Sequence, residues 1–227
     1  MRVALVTVGD ELLAGDTVNT NAAWLGRRLA ELGVSVEQVT VLPDRIADIA
    51  RAVDEQRVAF DAVIVTGGLG PTHDDRTMEV VAAAFGQDVV EDERVFDWLS
   101  SAGYEADDLA EGTAAIPAGA DPIRNPEGVA PGCVVENVYV LPGVPAEMEA
   151  MFEEVADAFT GESRYVRTVE AAEPESALVD RLVDVEDRFG VTVGSYPGED
   201  VRVKISGADE EAVAAAAEWL REHVEAP

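Results

Sequence analysis

Three short runs rich in β-branched residues, 2–8 (RVALVTV), 34–42 (VSVEQVTVL) and 60–68 (FDAVIVTGG), alternate with stretches of a different period. Between the first two, Ala23, Trp24, Leu25, Leu29 and Leu32 recur at helical spacing and the pattern stops at Gly33. Between the second and third, Ile46, Ile49, Ala50 and Val53 share one face of a predicted helix over 44–57, with Asp44 as its expected N-cap. A further helix is expected over 75–86, closing at Gly86. Strand and helix in strict alternation, with strands read as buried on both faces, predict an α/β architecture on a parallel sheet with right-handed crossovers.

The rhythm then changes. Residues 92–103 read as a helix, and 104–132 as irregular chain rich in Ala, Gly, Pro and Asp. Residues 133–143 read as two strands around a Glu136-Asn137 turn, and 145–159 as a helix with Pro145 in its first turn. Met148, Met151, Phe152, Val155 and Phe159 form its apolar stripe. A boundary is expected at 160–163. Beyond it the β-α-β-β-α pattern predicts a small α+β domain of ferredoxin-like type over 164–227, after a main domain over 1–160.

Charge narrows the function. The chain of 227 residues has 46 acidic and 16 basic side chains, a net charge of −30, and Lys204 is its single lysine. Acids spread along the whole length read as the solvated surface of a halophilic protein, since molar salt shortens the Debye length to about 3 Å and screens self-repulsion. The same charge excludes non-specific nucleic-acid binding, which needs a basic face. No apolar stretch approaches the roughly 20 residues needed to span a bilayer, so no membrane partner and a cytoplasmic location are expected. Cys133, the single cysteine, reads as a small buried hydrophobe.

A parallel sheet binds ligands beyond the carboxyl ends of its strands. Three segments reach that edge: 9–21, 66–77 and 141–148. Each leads toward a helix, so each offers backbone N–H groups to phosphate. In the middle one, Gly67, Gly68 and Gly70 permit close approach, Pro71 stiffens the turn, and Thr66 and Thr72 add hydroxyls. Asp74 and Asp75 follow directly; two acids at a phosphate site repel the ligand unless a cation lies between them. A divalent cation held by Asp74, Asp75 and Asp10 is therefore expected, with Glu11 beside Asp10. Gly9 stands at the same edge. Asn19 and Asn21 read either as ligand contacts or as helix caps, and His73 either as a proton acceptor or as a solvated loop residue.

The stretches VGDELLAGDTVNTNAAWL, TGGLGPTHDDRT, NPEGVAPG and LPGVPAEMEAMF, in that order, resemble the N-terminal region of the CinA (competence/damage-inducible) family, which has the molybdopterin-binding, MoaB/MogA-like fold. The resemblance covers 1–160. Residues 164–224 are similar to the small domain that follows in such proteins. The resemblance implies a three-layer α/β domain with a mostly parallel sheet, a nucleotide or pterin ligand, and metal-dependent hydrolysis of a dinucleotide pyrophosphate such as that of ADP-ribose or FAD. It puts Asp10 and Glu11 in a first acidic motif, Gly67, Gly68 and Gly70 in the phosphate loop, Asp74, Asp75 and Thr77 in a second acidic motif, and Pro142, Gly143 and Pro145 in a last loop. Molybdopterin binding or adenylylation is the alternative activity, although Leu69 stands where adenylyltransferases carry threonine; a non-catalytic binding module is the third. A homo-oligomer, dimer or trimer, is implied. Family members often add an amidohydrolase acting on nicotinamide mononucleotide; no such segment is read in these residues, and deamidation is not expected.

Overall fold

In the computed structural model, residues 1–69, 76–104, 109, 112–161 and 164–227 are described. The chain divides into two compact units, Met1–Gly161 and Glu162–Pro227.

In the first unit β1 (Arg2–Val8) pairs in parallel with β2 (Ser35–Leu42) and β3 (Ala62–Thr66), and β3 pairs in parallel with β8 (Val138–Leu141). Antiparallel β7 (Gly132–Val135) and β6 (Asp121–Ile123) complete a six-stranded sheet of order β2-β1-β3-β8-β7-β6. Side chains alternate across it. Val3, Leu5, Ala62 and Ile64 face α2 (Thr20–Glu31) and α6 (Pro145–Val155), meeting Leu25, Leu29, Met148, Met151 and Phe152. Val6, Val8, Val63 and Val65 face the opposite layer, meeting Ile49 and Val53 of α3 (Ile46–Ala59) and Val80 and Val81 of α4 (Thr77–Ala84). Helices on both faces of a mostly parallel sheet give the three layers expected.

Several local expectations are corrected. The strand at 35–42 is an edge strand with no fully buried residue, not one buried on both faces. Its polar positions Glu37, Gln38 and Thr40 fit that edge place. Ile46 is exposed, at the very start of α3, while Ile49 and Val53 are buried. Residues 10–14, read as loop, form a one-turn helix, α1 (Asp10–Ala14). Residues 115–123, read as irregular, hold β5 (Ala115–Pro117), which pairs with β4 (Val89–Glu91), and the edge strand β6. Between β4 and β5 lies α5 (Glu93–Ser101), capped by the Asp92 side chain. The helix expected over 145–159 ends at Val155 and closes in a 3-10 turn over Ala156–Ala158. The Glu136-Asn137 turn forms as expected: Glu136 has φ 52°, and the Asn137 side chain donates to the carbonyls of Arg57 and Phe60.

Two features of this unit have measurable consequences. Arg28 on α2 grips Glu153 on α6 with two hydrogen bonds, 2.6 and 2.8 Å. That bond holds the Glu153 carboxyl below its usual pKa range. A carboxyl depressed in the folded state stabilises above its unfolded pKa of about 4.3 and loses that contribution as pH falls through the folded value. Half-exposed as it is, the pair contributes about 0.5 kcal/mol. Glu153→Gln is therefore expected to cost about that much at pH 7 and nothing once Glu153 is protonated, read by urea unfolding at both pH values. Burial pushes the Cys133 thiol up to about 12. Its sulfur lies 3.5 Å from that of Met78. At pH 8 a thiol reagent is expected to leave the native protein unlabelled and to modify one thiol after denaturation; rapid native labelling would contradict this burial.

The second unit contains β9 (Tyr165–Ala171), α7 (Glu175–Phe189), β10 (Thr192–Tyr196), β11 (Val201–Gly207) and α8 (Glu210–Glu222). Its sheet has the order β10-β11-β9, all antiparallel. The middle strand is the last in sequence, the split β-α-β of the ferredoxin-like plan. Val169, Val203 and Ile205 pack on Leu178, Val185, Val213 and Leu220, so this unit has its own core.

Candidate functional site

The loops after β1, β3 and β8 meet at one rim. Gly67, the residue after β3, has φ 102°, and a Cβ there would stand 2.3 Å from the Val8 carbonyl oxygen at the end of β1. Gly143, after β8, packs tightly but less so: a Cβ on it would come within 3.3 Å of the Gly67 Cα. Gly68 has φ 67° and leaves no room for a Cβ against the Thr77 hydroxyl, 2.2 Å away. Only glycine permits three backbones to approach this closely. Polar bonds then lock the arrangement. The Gly67 N–H donates to the Leu141 carbonyl at 3.2 Å, the Thr77 hydroxyl donates to the Gly67 carbonyl at 2.9 Å, and the Thr77 N–H donates to the Gly68 carbonyl at 3.1 Å.

The two asparagines take different roles. Asn19 caps α2: its Oδ1 accepts the Ala22 N–H at 3.0 Å while its Nδ2 donates to the buried Thr7 hydroxyl at 3.0 Å. Asn21 lies inside the helix on the buried face with Leu25 and Leu29. Its Nδ2 donates to the Gly143 carbonyl at 2.8 Å, tying α2 to the β8 loop. Its Oδ1 is buried and has no partner among the described residues, as is true of Gln56 Oε1 and Gln87 Oε1.

Asp10 and Glu11 are exposed in the first turn of α1, and Gly9 lies beneath the Glu11 carboxylate, its N–H bonded to the Leu42 carbonyl. The Asp10 N–H donates to the Asp44 carboxylate at 2.9 Å. Asp44 is thus a residue that sequence reading missed at this rim. The expected cap of α3 falls instead at Arg45, with no side-chain bond, and Asp44 turns to the loop after β1. The positive end of α1 is thus met by an internal carboxylate.

Thr66 is buried at the end of β3 between Thr7 and Leu141, Thr77 is buried, Pro142 is buried, and Gly143 and Pro145 are exposed at the start of α6. Gly70, Pro71, Thr72, His73, Asp74 and Asp75 lie outside the described residues. Among the described residues no group of three His, Cys, Asp or Glu side chains is arranged to hold a metal ion. Asp10, Glu11 and Asp44 supply the hard oxygen donors that suit Mg²⁺ or a similar cation, but not a complete ligand set.

The NPEGVAPG stretch joins this rim from the side. Asn125 donates through Nδ2 to Glu147 of α6 at 2.7 Å and to the Ala130 carbonyl at 3.0 Å. Its Oδ1 accepts the Glu127 N–H at 3.1 Å. A Cβ at Gly128 would stand 2.7 Å from the Glu147 carboxylate, so this loop too is shaped by a glycine against α6.

This glycine-lined rim on a three-layer sheet has known counterparts. A family model described as "Probable molybdopterin binding domain" matches residues 4–161, and the chain belongs to that family. Within it, the chain is of the CinA type. The solved structure of the protein CinA from Thermoplasma acidophilum, a protein of unknown function, is 39% identical, with a TM-score of 0.64 over 70% of this chain and 97% of that one. A CinA-like protein of Salinibacter ruber is 38% identical over 224 residues, 91% of this chain and 54% of its own length. This chain therefore spans about half of that relative. An Archaeoglobus fulgidus protein is also 38% identical over 224 residues, covering 98% of this chain and 97% of its own length. A second model, "FAD synthase, middle domain", matches residues 163–226. Among the described residues no helix is long and apolar enough to cross a membrane.

Proposed function

We propose that the rim binds the diphosphate of a nucleotide and hydrolyses it with the help of a divalent cation, as a pyrophosphatase acting on a dinucleotide such as ADP-ribose or FAD. The observation that carries this reading is the glycine contact of three loops at Gly67. It brings three backbone segments together at the carboxyl edge of the sheet, where Asn21 holds the Gly143 carbonyl. In this reading the β3 loop and the start of α6 receive the phosphate oxygens. Asn21 positions the β8 loop and accepts a hydrogen bond from the ligand. Asp10, with Asp74 and Asp75, holds the cation, and Asp44 fixes the backbone of Asp10. The cation would neutralise phosphate charge and lower the pKa of a water. The match of the second unit to a FAD synthase middle domain supports a dinucleotide substrate.

A second reading is favoured by the first family model: the rim binds a pterin such as molybdopterin, with or without adenylylation. One assay separates the two. Purified protein is incubated with ADP-ribose, FAD and NADH and with Mg²⁺, Mn²⁺ or Co²⁺ at high salt, the condition suited to a chain of charge −30. Release of AMP abolished by chelator supports hydrolysis. No AMP under any combination, with a pterin retained through purification, replaces it by the second reading.

A further inference from the structure

A recess lies between the end of α5 and the loop before β7. It has a volume of about 180 Å³ and is walled on one side by Trp98 and Tyr104 at the end of α5, and on the other by the loop from Arg124 to Pro131. At about 30 Å³ per water, that is room for about six waters, the bulk of a fused two-ring heterocycle. The loop wall is preformed: Asn125 is fully engaged in bonds to Glu127, Ala130 and Glu147, and Gly128 is pressed against the Glu147 carboxylate. Asn125 of the recess wall is bonded to Glu147 in the first turn of α6, four residues after Gly143, so the recess loop is tied to the helix that begins at the glycine rim.

We propose that this recess takes the flat two-ring base of the ligand, a purine or a pterin, stacked against Trp98 and Tyr104, with Arg124 at its mouth attracting the ligand's phosphate charge. This rests on the reading of the rim as a diphosphate site. The ring type follows from the wall: aromatic side chains accept flat π-systems of any substituent, and stacking on them is a usual source of affinity for bases. The charge follows from Arg124. Most arginines of this acid-rich chain are paired with a carboxylate, a carbonyl or a ring; Arg124, like Arg27 and Arg164, makes no bond or ion pair to a described residue, and of these it is the one that lines the recess. A free guanidinium in so negative a chain is a local attractor for an anion. Glu127, also at the recess, disfavours a ligand whose negative charge enters ring-first. The base enters and the phosphates stay at the rim.

Binding is measured by calorimetry and saturation-transfer NMR on the full chain, with adenosine, neopterin, riboflavin and inorganic pyrophosphate as separate probes. Adenosine or neopterin is expected to bind, and Tyr104→Ser and Trp98→Phe to weaken it, the former about tenfold. Riboflavin, with three rings, is expected to bind at least tenfold more weakly. Arg124→Gln is expected to leave nucleoside affinity within twofold and to weaken ADP at least fivefold at low salt, with the difference gone at 1 M salt. Pyrophosphate is expected to bind the wild type and Tyr104→Ser equally. The proposal is overturned if neither two-ring probe binds, if riboflavin binds as well as they do, or if both aromatic variants bind them as tightly as the wild type. Nucleoside binding without pyrophosphate binding would uphold the recess and overturn the rim.

Discussion

Gly67→Ala is expected to destabilise the N-terminal unit by about 3 kcal/mol or more and to abolish ligand binding at the rim. Two separate penalties add at this residue. At φ 102° any L side chain is strained, and the new methyl would stand 2.3 Å from the backbone oxygen of Val8, which belongs to a central strand and has nowhere to go. Relief requires moving the β3 loop away from β1, and Gly143 moves with it. Gly86→Ala separates the two terms. Gly86 has φ 65° but open space around its Cβ, so that variant meets strain alone and should lose about 1 kcal/mol. For a domain of this size each kcal/mol is about 2–4 °C in Tm, so the calorimetric transition of the N-terminal unit should fall by roughly 6–12 °C for Gly67→Ala and by only a few degrees for Gly86→Ala. The transition of the second unit, with its own core, should not move. Equal shifts for the two variants would contradict the close contact of the β1 and β3 loops.

Asn21→Asp is expected to cost about 2–4 kcal/mol at pH 7 and to weaken anion binding at least tenfold. The substitution keeps shape and removes the donor. A carboxylate would then face the Gly143 carbonyl, 2.8 Å away, from a site that is 8% exposed. Burial and the opposing oxygen raise the folded pKa of the new Asp above its unfolded value. For such an acid the sign is the reverse of Glu153. The cost is fully present above the folded pKa and shrinks as pH falls toward the unfolded value, because the protonated Asp donates to Gly143 as the amide does. Urea midpoints of variant and parent should therefore converge as pH is lowered from 7 toward 4. A constant gap would mean that Asn21 acts through volume alone and not through its donated bond.

The architecture was legible where burial and period agree. Val3 to Val8 and Ala62 to Thr66 are central strands, and the continuous apolar run of each says so. Strand β2 was readable as a strand but was assigned the wrong exposure, although Glu37, Gln38 and Thr40 already signalled an edge. Strands β5 and β6 were hidden because three-residue strands among Gly, Ala and Pro owe their existence to their pairing partners, β4 and β7, and carry no periodicity of their own.

At the site, the convergence of three glycine loops followed from the sheet rule, but the bonding did not. Local reasoning made Asp44 a helix cap; the Asp10 N–H it serves comes from 34 residues away. The place of Asn21 is legible in the sequence. It falls four and eight residues before Leu25 and Leu29, on the stripe that faces the core, and a polar residue on that stripe needs a specific partner. Arg124 and the recess beside α5 carried no local signal, since an arginine shows its lack of a partner only once the chain is folded.

The most direct measurement follows the backbone amides of Gly67, Gly68 and Gly143 and the side-chain amide of Asn21 by heteronuclear NMR while inorganic pyrophosphate and Mg²⁺ are added. All four resonances should shift together along one saturation curve, with those of β10 and β11 unmoved. Saturable shifts confined to other surfaces, or an Asn21 amide that stays still while pyrophosphate binds, would contradict the proposed phosphate site.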